Sequence, residues 1–482
     1  MIVGVDIGTQ SLKVLVVDED LKVRGQGSRH YASVYPRAGW AEQDPGLWEQ
    51  AIGPAIADAL ADAGTVAAKV RGLGLAGQLD GCVPVDINGR PLSPCLIWVD
   101  RRAEEELRDI PQDHIRRFGG VVPDPSHLAA KIRWCKRRVP EARYAVRYHQ
   151  PVSYMIARLT GENVIDHSQA STSMLYNLSE RRYEPALLEA FGIEPEELPR
   201  IDESYAIAGP LSGPGAELTG LPQGVPVAVG TGDDFSNPLG SGLVRPGSMV
   251  CCLGTAEVPG ALDLQPRIDD RAFLQTLSYP TGDYFIENPG WLSGGAVKWA
   301  TETMRISSFE EFDSLAAQAP AGADSVLFLP CLGGAVAPEW ISSARACFYG
   351  LTPAHGLSHM TRAVLEGCAF AMRDVVERLK EMSVPVESIV LLGGGARSRL
   401  WAQIRADLSG LPVQVPAQTD TSPMGGAMLA AVAAGIHPDL AAAAALVGRA
   451  GETFEPDAGS QAEYDDAYLA YRKLFDCLKP MF

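Results

Sequence analysis

Positive charge is scarce in this chain. Its 482 residues include 41 Lys and Arg against 59 Asp and Glu, a formal net charge of −18 at pH 7. Nucleic-acid binding needs a basic face, so a polyanion partner is excluded. Closely spaced cysteines are missing too. Nine are present, but no C-x-x-C occurs and only Cys251 and Cys252 are adjacent. That spacing argues against a zinc site and against a disulfide framework. It predicts a reducing, cytoplasmic compartment. No apolar run is long enough for a membrane span. The most apolar late stretch, Met424 to Val447, is interrupted by Gly435, His437, Pro438 and Asp439, which predicts a pair of buried Ala-rich helices. The opening Met-Ile-Val-Gly-Val-Asp has no basic segment and no small-residue cleavage site, so no secretory leader is expected.

What is present points to a globular α/β protein. Hydrophobic content is 46% and charged content 21%, ordinary for a soluble protein. The length predicts two large domains. The most informative stretch is Val225 to Thr255. Pro226-Val227-Ala228-Val229 reads as a strand that ends in Gly230-Thr231-Gly232-Asp233-Asp234. A carboxylate at a strand end, beside a glycine turn, can hold a hydroxyl nucleophile against a phosphoryl group. Asp233 is therefore the expected general base of a phosphotransfer enzyme.

The first residues carry a related pattern. Ile2-Val3-Gly4-Val5 and Leu12 to Val17 read as a hairpin with Gly8 and Thr9 at the turn. Amides and the Thr9 hydroxyl there could bind phosphate oxygens, and Asp6 could hold Mg²⁺ through water. The alternative is a plain hairpin with a solvated aspartate. Met249 to Thr255 repeats the arrangement of apolar strand and Gly-Thr turn, which suggests two related halves.

Between these hairpins, Asp44 and Pro45 read as the start of a helix from Gly46 to Ala63. Val70 to Leu75 and Leu96 to Val99 read as strands. Their following polar residues, Gln78-Leu79-Asp80 and Asp100-Arg101-Arg102, either line a ligand crevice or serve as solvated caps. The basic run Lys131 to Arg147 is expected to be a solvated helical face. Tyr154 to Leu159 reads as a helix stopped by Gly161. His167 has no partner at ligand spacing, so no metal role is expected.

The second half opens near Pro246. Asn288 to Gly295 leads into a helix reaching Met304, and Ser358 to Met382 is a long amphipathic helix. Glu366 on that helix is either buried or caps a loop. After the strand Ile389 to Leu392, Gly393-Gly394-Gly395-Ala396-Arg397-Ser398 offers close backbone approach to a flat ligand and a helix N-terminus. This loop has neither Rossmann nor Walker spacing. Residues beyond about 450 read as a polar loop and a terminal helix, Ala462 to Leu478.

Together these motifs resemble the FGGY carbohydrate kinases. The matching segments are Val5 to Thr9, Trp40 with Glu42 to Pro45, Ala76-Gly77-Gln78, Trp98 with Asp100, Gly232-Asp233, Leu253-Gly254-Thr255, Phe328 to Pro330, Phe348 to Leu351, Arg362 to Gly367 and Gly393 to Ser398. The resemblance runs through most of the chain and looks xylulokinase-like, with glycerol kinases similar at Asp100-Arg101-Arg102 and Gly294-Gly295. It implies two actin-like ATPase (ribonuclease H-like) domains with a cleft between them. Residues 1–244 would form the sugar-binding domain with the catalytic base. Residues 245–482 would form the nucleotide-binding domain, the last helix packing back on the first.

The resemblance also implies an activity: transfer of the ATP γ-phosphate, with Mg²⁺, to a small sugar, a ketopentose such as xylulose first. Alternatives are another ketose or polyol (ribulose, glycerol or erythritol type), or a non-catalytic nucleotide-dependent sensor. Asp233 and Asp6 would be catalytic and hold the metal. Gly8, Thr9, Gly254, Thr255, Gly294, Gly394, Gly395 and Ala396 would hold the nucleotide. Gln78, Leu79, Asp80, Trp98, Asp100, Asp233 and Asp234 would face the sugar. The partner would be a small sugar or polyol, with no nucleic acid and no membrane, and a homodimer is compatible with the family. Four positions depart from the pattern. Asp80 stands where xylulokinases have His, Val99 where Asn or Gln is usual, and Asp234 where an amide follows the base. Gly334 to Pro338 lacks the family's Glu-Arg pair. Changes among hydroxyl-binding groups can alter sugar choice strongly.

Overall fold

The computed structural model describes residues 1–418, 420–447 and 450–482. The chain forms two compact units. The first holds residues 1–244, 276–284 and the stretch from Asp420, and the second holds the remainder.

The first unit is built on a mixed sheet. Its order is Ile207–Pro210, Pro226–Ala228, Gly72–Gly77, Ile2–Ile7, Ser11–Val17, Val23–His30, and Thr231–Gly232 also pairs with Gly72–Gly77. Ile2–Ile7 and Ser11–Val17 are the expected antiparallel hairpin. Ile2–Ile7 runs parallel to Gly72–Gly77. Every residue of these two parallel strands is buried, as expected where helices cover both faces.

Two glycines explain how one covering helix sits so close. A Cβ on Gly4 would lie 1.9 Å from the Pro423 carbonyl oxygen, and one on Gly74 would lie 2.0 Å from that of Gly426. The helix Ser422–Ala433 therefore lies almost directly on the strand backbones. Gly72–Gly77 happens to read G-x-G-x-x-G, but all six residues are strand. No helix starts within it, so the spacing serves packing here.

Val23–His30 was not expected as a strand. Its sequence is polar and glycine-containing, and it lies at the sheet edge under the helix Gly46–Asp62. Leu96 to Val99 is shorter than expected, with strand only at Cys95–Leu96.

The second unit repeats the theme. Gly247–Leu253 pairs antiparallel with Ala256–Asp263 and parallel with Val386–Leu392, which pairs parallel with Val413–Pro416. Ala450–Phe454, expected as loop, closes the edge. The long helix is Leu357–Glu381. Both readings of Glu366 hold. It is buried, it accepts the Gly322 N–H at 3.1 Å, and it pairs with Arg362 at 2.7 Å.

Three domain expectations are corrected. Residues 276–284 belong to the first unit, where the N–H groups of Thr276 and Ser278 donate to Gly120 O and Ser171 Oγ. The segment beginning at Asp420 belongs to the first unit, because Ser422–Ala433 is shaped to the glycine-bearing strands there. The terminal helix Gln461–Leu478 stays in the second unit, where Tyr464, Tyr471 and Phe475 fill the core beside Phe370 and Trp401. Among the described residues, no helix is long and apolar enough to cross a membrane.

Candidate active site

The carboxylates singled out in the sequence converge in the first unit. Asp6 is the last residue but one of the strand Ile2–Ile7, and the neighbouring strand Gly72–Gly77 leads into Gln78-Leu79-Asp80. Thr231–Gly232 pairs with the end of that same strand, and the helix Asp233–Gly240 starts immediately after it. Gly232 is required at this junction: a Cβ there would meet Leu79 Cδ2 at 2.1 Å. Leu79 thus packs on the residue preceding Asp233, which brings positions 80 and 233 to the same end of the sheet.

Charge is concentrated at this end. Burial first, then the charge of Asp233, pushes the Asp6 carboxyl up to about 7, although the Ser422 hydroxyl donates to its Oδ1 at 2.9 Å. Burial and the charge of Asp234 push Asp233 up to about 7. Burial and Asp80 push Asp234 up to about 6. Four carboxylates therefore feel one another in sequence, Asp80 to Asp234 to Asp233 to Asp6. Such a set suits a hard cation, since Mg²⁺ takes oxygen ligands and keeps several waters. Among the described residues, no cluster of three or more protein ligands is present, so protein oxygens would supply few of the six contacts.

Residues 1–240 match the N-terminal domain of the FGGY family of carbohydrate kinases, and residues 249–434 match its C-terminal domain. The chain belongs to the FGGY family of carbohydrate kinases. It is 30% identical to a xylulose kinase of Escherichia coli, with all of each chain covered. It is 30% identical to a glycerol kinase of Thermococcus onnurineus, over 90% of this chain and 89% of the relative. The crystal structure of a xylulose kinase from Rhodospirillum rubrum superposes with a TM-score of 0.92 at 28% identity, covering 100% of this chain and 99% of that one.

As a carbohydrate kinase, this protein transfers a phosphoryl group to a sugar hydroxyl, and the remaining site residues can be read in that light. Gly8 and Thr9 form the hairpin turn, with the Gly8 N–H on Ser11 O at 3.0 Å. The Thr9 hydroxyl is taken by the Trp98 indole N–H at 3.0 Å, and Gln43 holds the Thr9 carbonyl at 2.9 Å. Gln43 also accepts the Gln78 amide at 2.8 Å. Trp98 itself is half-exposed.

Asp100 departs from expectation. Its side chain is fully buried and accepts the Ala41 N–H at 2.6 Å and the Arg102 Nε–H at 2.9 Å. It fixes the loop carrying Trp98 and is closed to a sugar. Gln78 is likewise buried. Leu79 and Asp80 are also buried, while Asp233 and Asp234 retain partial exposure.

In the second unit, Gly254 and Thr255 form an exposed turn between Gly247–Leu253 and Ala256–Asp263. The Thr255 carbonyl accepts the N–H groups of Ser293 at 3.2 Å and Gly295 at 2.9 Å. A Cβ on Gly294 would lie 2.2 Å from Gly254 O, so the helix Gly294–Thr303 starts against this turn. The 393–396 loop meets the same place, since a Cβ on Gly395 would lie 2.5 Å from Leu253 Cγ. Gly394 faces open space, whereas the Ala396 methyl is part of the core. Any contact from Ala396 to a nucleotide would be through its backbone.

Several residues around Asp80 were not singled out in the sequence as its partners. His127, Lys131, Gln150 and Thr172 all hydrogen-bond Asp80. Lys131 corrects the reading of residues 131–147 as a solvated face. It is completely buried, with Nζ on the carbonyls of Asp80 at 2.7 Å and Ile97 at 2.9 Å. The signal was a lysine three residues into a helix of otherwise buried Leu128, Ala129, Ala130 and Ile132.

Proposed function

We propose that this kinase uses ATP with Mg²⁺ to phosphorylate a hydroxyl of a neutral ketopentose, xylulose first. The observation that carries the reading is the position of Asp233, at the start of a helix, beside a second strand-end carboxylate and next to Leu79-Asp80. Asp233, held near neutrality by burial and Asp234, takes the proton of the sugar hydroxyl as it attacks; a base works best with a pKa near the working pH.

Asp6 and Asp233 would hold the metal, and the mutually repelling carboxylates fit such a cation. Bound Mg²⁺ supplies neutralisation of phosphate charge. Thr9 and Thr255 would offer turn amides to phosphate oxygens, while the Gly8 and Gly254 N–H groups close the two turns on Ser11 O and Ala256 O. Gly394, with nothing facing its α-carbon, leaves space for a flat adenine against the backbone. Catalysis would then rest on positioning and charge neutralisation.

The xylulose assignment is supported by a relative of that name aligned over the whole chain. Equal identity to a glycerol kinase favours a polyol as the second reading. The test is ADP release by purified protein across neutral ketoses and polyols. Sugar-dependent release with xylulose leading is the expected result. Release independent of any sugar would overturn the substrate assignment.

A further inference from the structure

Asp80 is anchored on every side. Its backbone has φ +53°, a conformation that few residues other than glycine adopt but that Asp and Asn tolerate. Its N–H donates to Gln150 Oε1 at 2.9 Å, and its carbonyl accepts Lys131 Nζ. Its Oδ1 accepts the Thr172 hydroxyl at 2.8 Å, and its Oδ2 faces His127 Nδ1 at 2.9 Å. A carboxylate only accepts, so Nδ1 carries the proton and Nε2 is the ring atom left for another partner. Among the described residues, Nε2 has no protein partner.

The pair stands where the sugar is expected. Leu79, immediately before Asp80, packs on Gly232, immediately before Asp233. Asp234 feels the Asp80 charge directly. Burial disfavours the imidazolium, but the charge and hydrogen bond of Asp80, with Asp124, outweigh it and hold His127 above its ordinary value. Lys131 gives no free cation here, since its ammonium is buried on two carbonyls. The sugar end thus combines one oriented imidazole with an excess of carboxylates.

Granted the ketose or polyol kinase reading above, we infer that His127 is a specificity-determining residue: its Nε2 binds a substrate hydroxyl, Asp80 fixes the ring, and the pair admits neutral sugars while rejecting sugar acids. The two parts have distinct physical origins. A hydrogen bond to a hydroxyl discriminates strongly, because a substrate lacking it leaves a buried polar atom unpaired. Rejection of an acid follows from like charge against Asp80 and Asp234.

The test uses the full chain with ATP and Mg²⁺, and a panel of xylulose, ribulose, glycerol, erythritol and gluconate. Wild type is expected to prefer its best neutral substrate over gluconate by at least a hundredfold in kcat/KM. His127→Phe should raise the KM for that substrate at least tenfold and reorder the neutral panel. The KM for ATP should stay unchanged and kcat should move less than threefold. His127→Gln, which keeps a polar head, should lose less, and it serves in its place if the Phe variant does not fold. Asp80→Asn, compatible with the same backbone, should narrow the gap to gluconate. An unchanged sugar KM and ranking in both His127 variants would overturn the role of His127 while leaving the kinase reading intact. Wild type turning over none of the neutral sugars would overturn both.

Discussion

The Ser422 hydroxyl donates to Asp6 Oδ1 at 2.9 Å across 416 residues of sequence. The bond exists because Ser422–Ala433 lies on Gly4 and Gly74, which places the first turn of that helix at the end of the strand carrying Asp6. It steadies a carboxylate that burial and Asp233 both penalise. Ser422→Ala should therefore cost about 1–2 kcal/mol, within the range for a buried group losing its partner. Urea unfolding of the ligand-free protein reads this directly. A loss within error of zero would mean that water replaces the hydroxyl.

Asp233→Asn keeps the shape of the side chain and removes its basicity. Sugar-dependent ADP release should fall by about 10²–10⁴-fold, the usual cost of a lost general base. The thermal midpoint should be preserved or raised, because an uncharged side chain no longer repels Asp6 and Asp234. Initial rates and a melting curve on the same preparation separate the two effects.

Gly4→Ala and Gly394→Ala should behave in opposite ways. The first puts a methyl 1.9 Å from a backbone oxygen, so helix and sheet must separate. A cost of about 3 kcal/mol or more is expected, at or beyond the upper end for overpacking. The second puts a methyl into open space. Its thermal midpoint should stay near wild type while the KM for ATP rises several-fold. Melting curves with ATP titrations of both variants check the contrast.

His149 predicts an acid sensitivity. Burial, helped by the Arg147 charge, lowers its pKa to about 3 against a hydrogen bond to the Asn163 side chain. The folded state therefore refuses a proton that the unfolded chain takes up below about 6.5. Stability from this residue is fully present above pH 6.5 and is lost as pH falls towards 3, by about 1.4 kcal/mol per pH unit. His149→Gln removes the titrating group. The stability difference between wild type and variant should shift by about 2 kcal/mol in favour of the variant between pH 7.5 and pH 5.0. Urea unfolding at the two pH values measures it, and a constant difference would refute the assignment.

Much of the fold was legible because local signals agreed. Apolar strands closed by Gly-Thr marked both hairpins, Gly161 marked a helix stop, and a sustained amphipathic pattern marked Leu357–Glu381. Val23–His30 was missed because its glycines answer to a helix packed on them and to nothing local. A Cβ on Gly27 would lie 2.2 Å from Ala55 O. Ala450–Phe454 was missed because an edge strand next to turn residues looks like loop.

The site divides in the same way. The placement of Asp6 and Asp233 near strand ends, and of the glycine turns, was readable from sequence because each rests on residue type and spacing along a short stretch. Asp100 was misread because burial turned a polar loop residue into a fixed anchor. His127, Gln150 and Thr172 gave no sequence signal. They lie 47, 70 and 92 residues from Asp80, and only folding brings them to it. The sequence alone determined the two-hairpin architecture and the carboxylates near the strand ends, since both rest on short-range pattern. Tertiary structure decided which polar groups surround Asp80 and which are spent on scaffolding, because burial and hydrogen-bond partners are properties of packed neighbours.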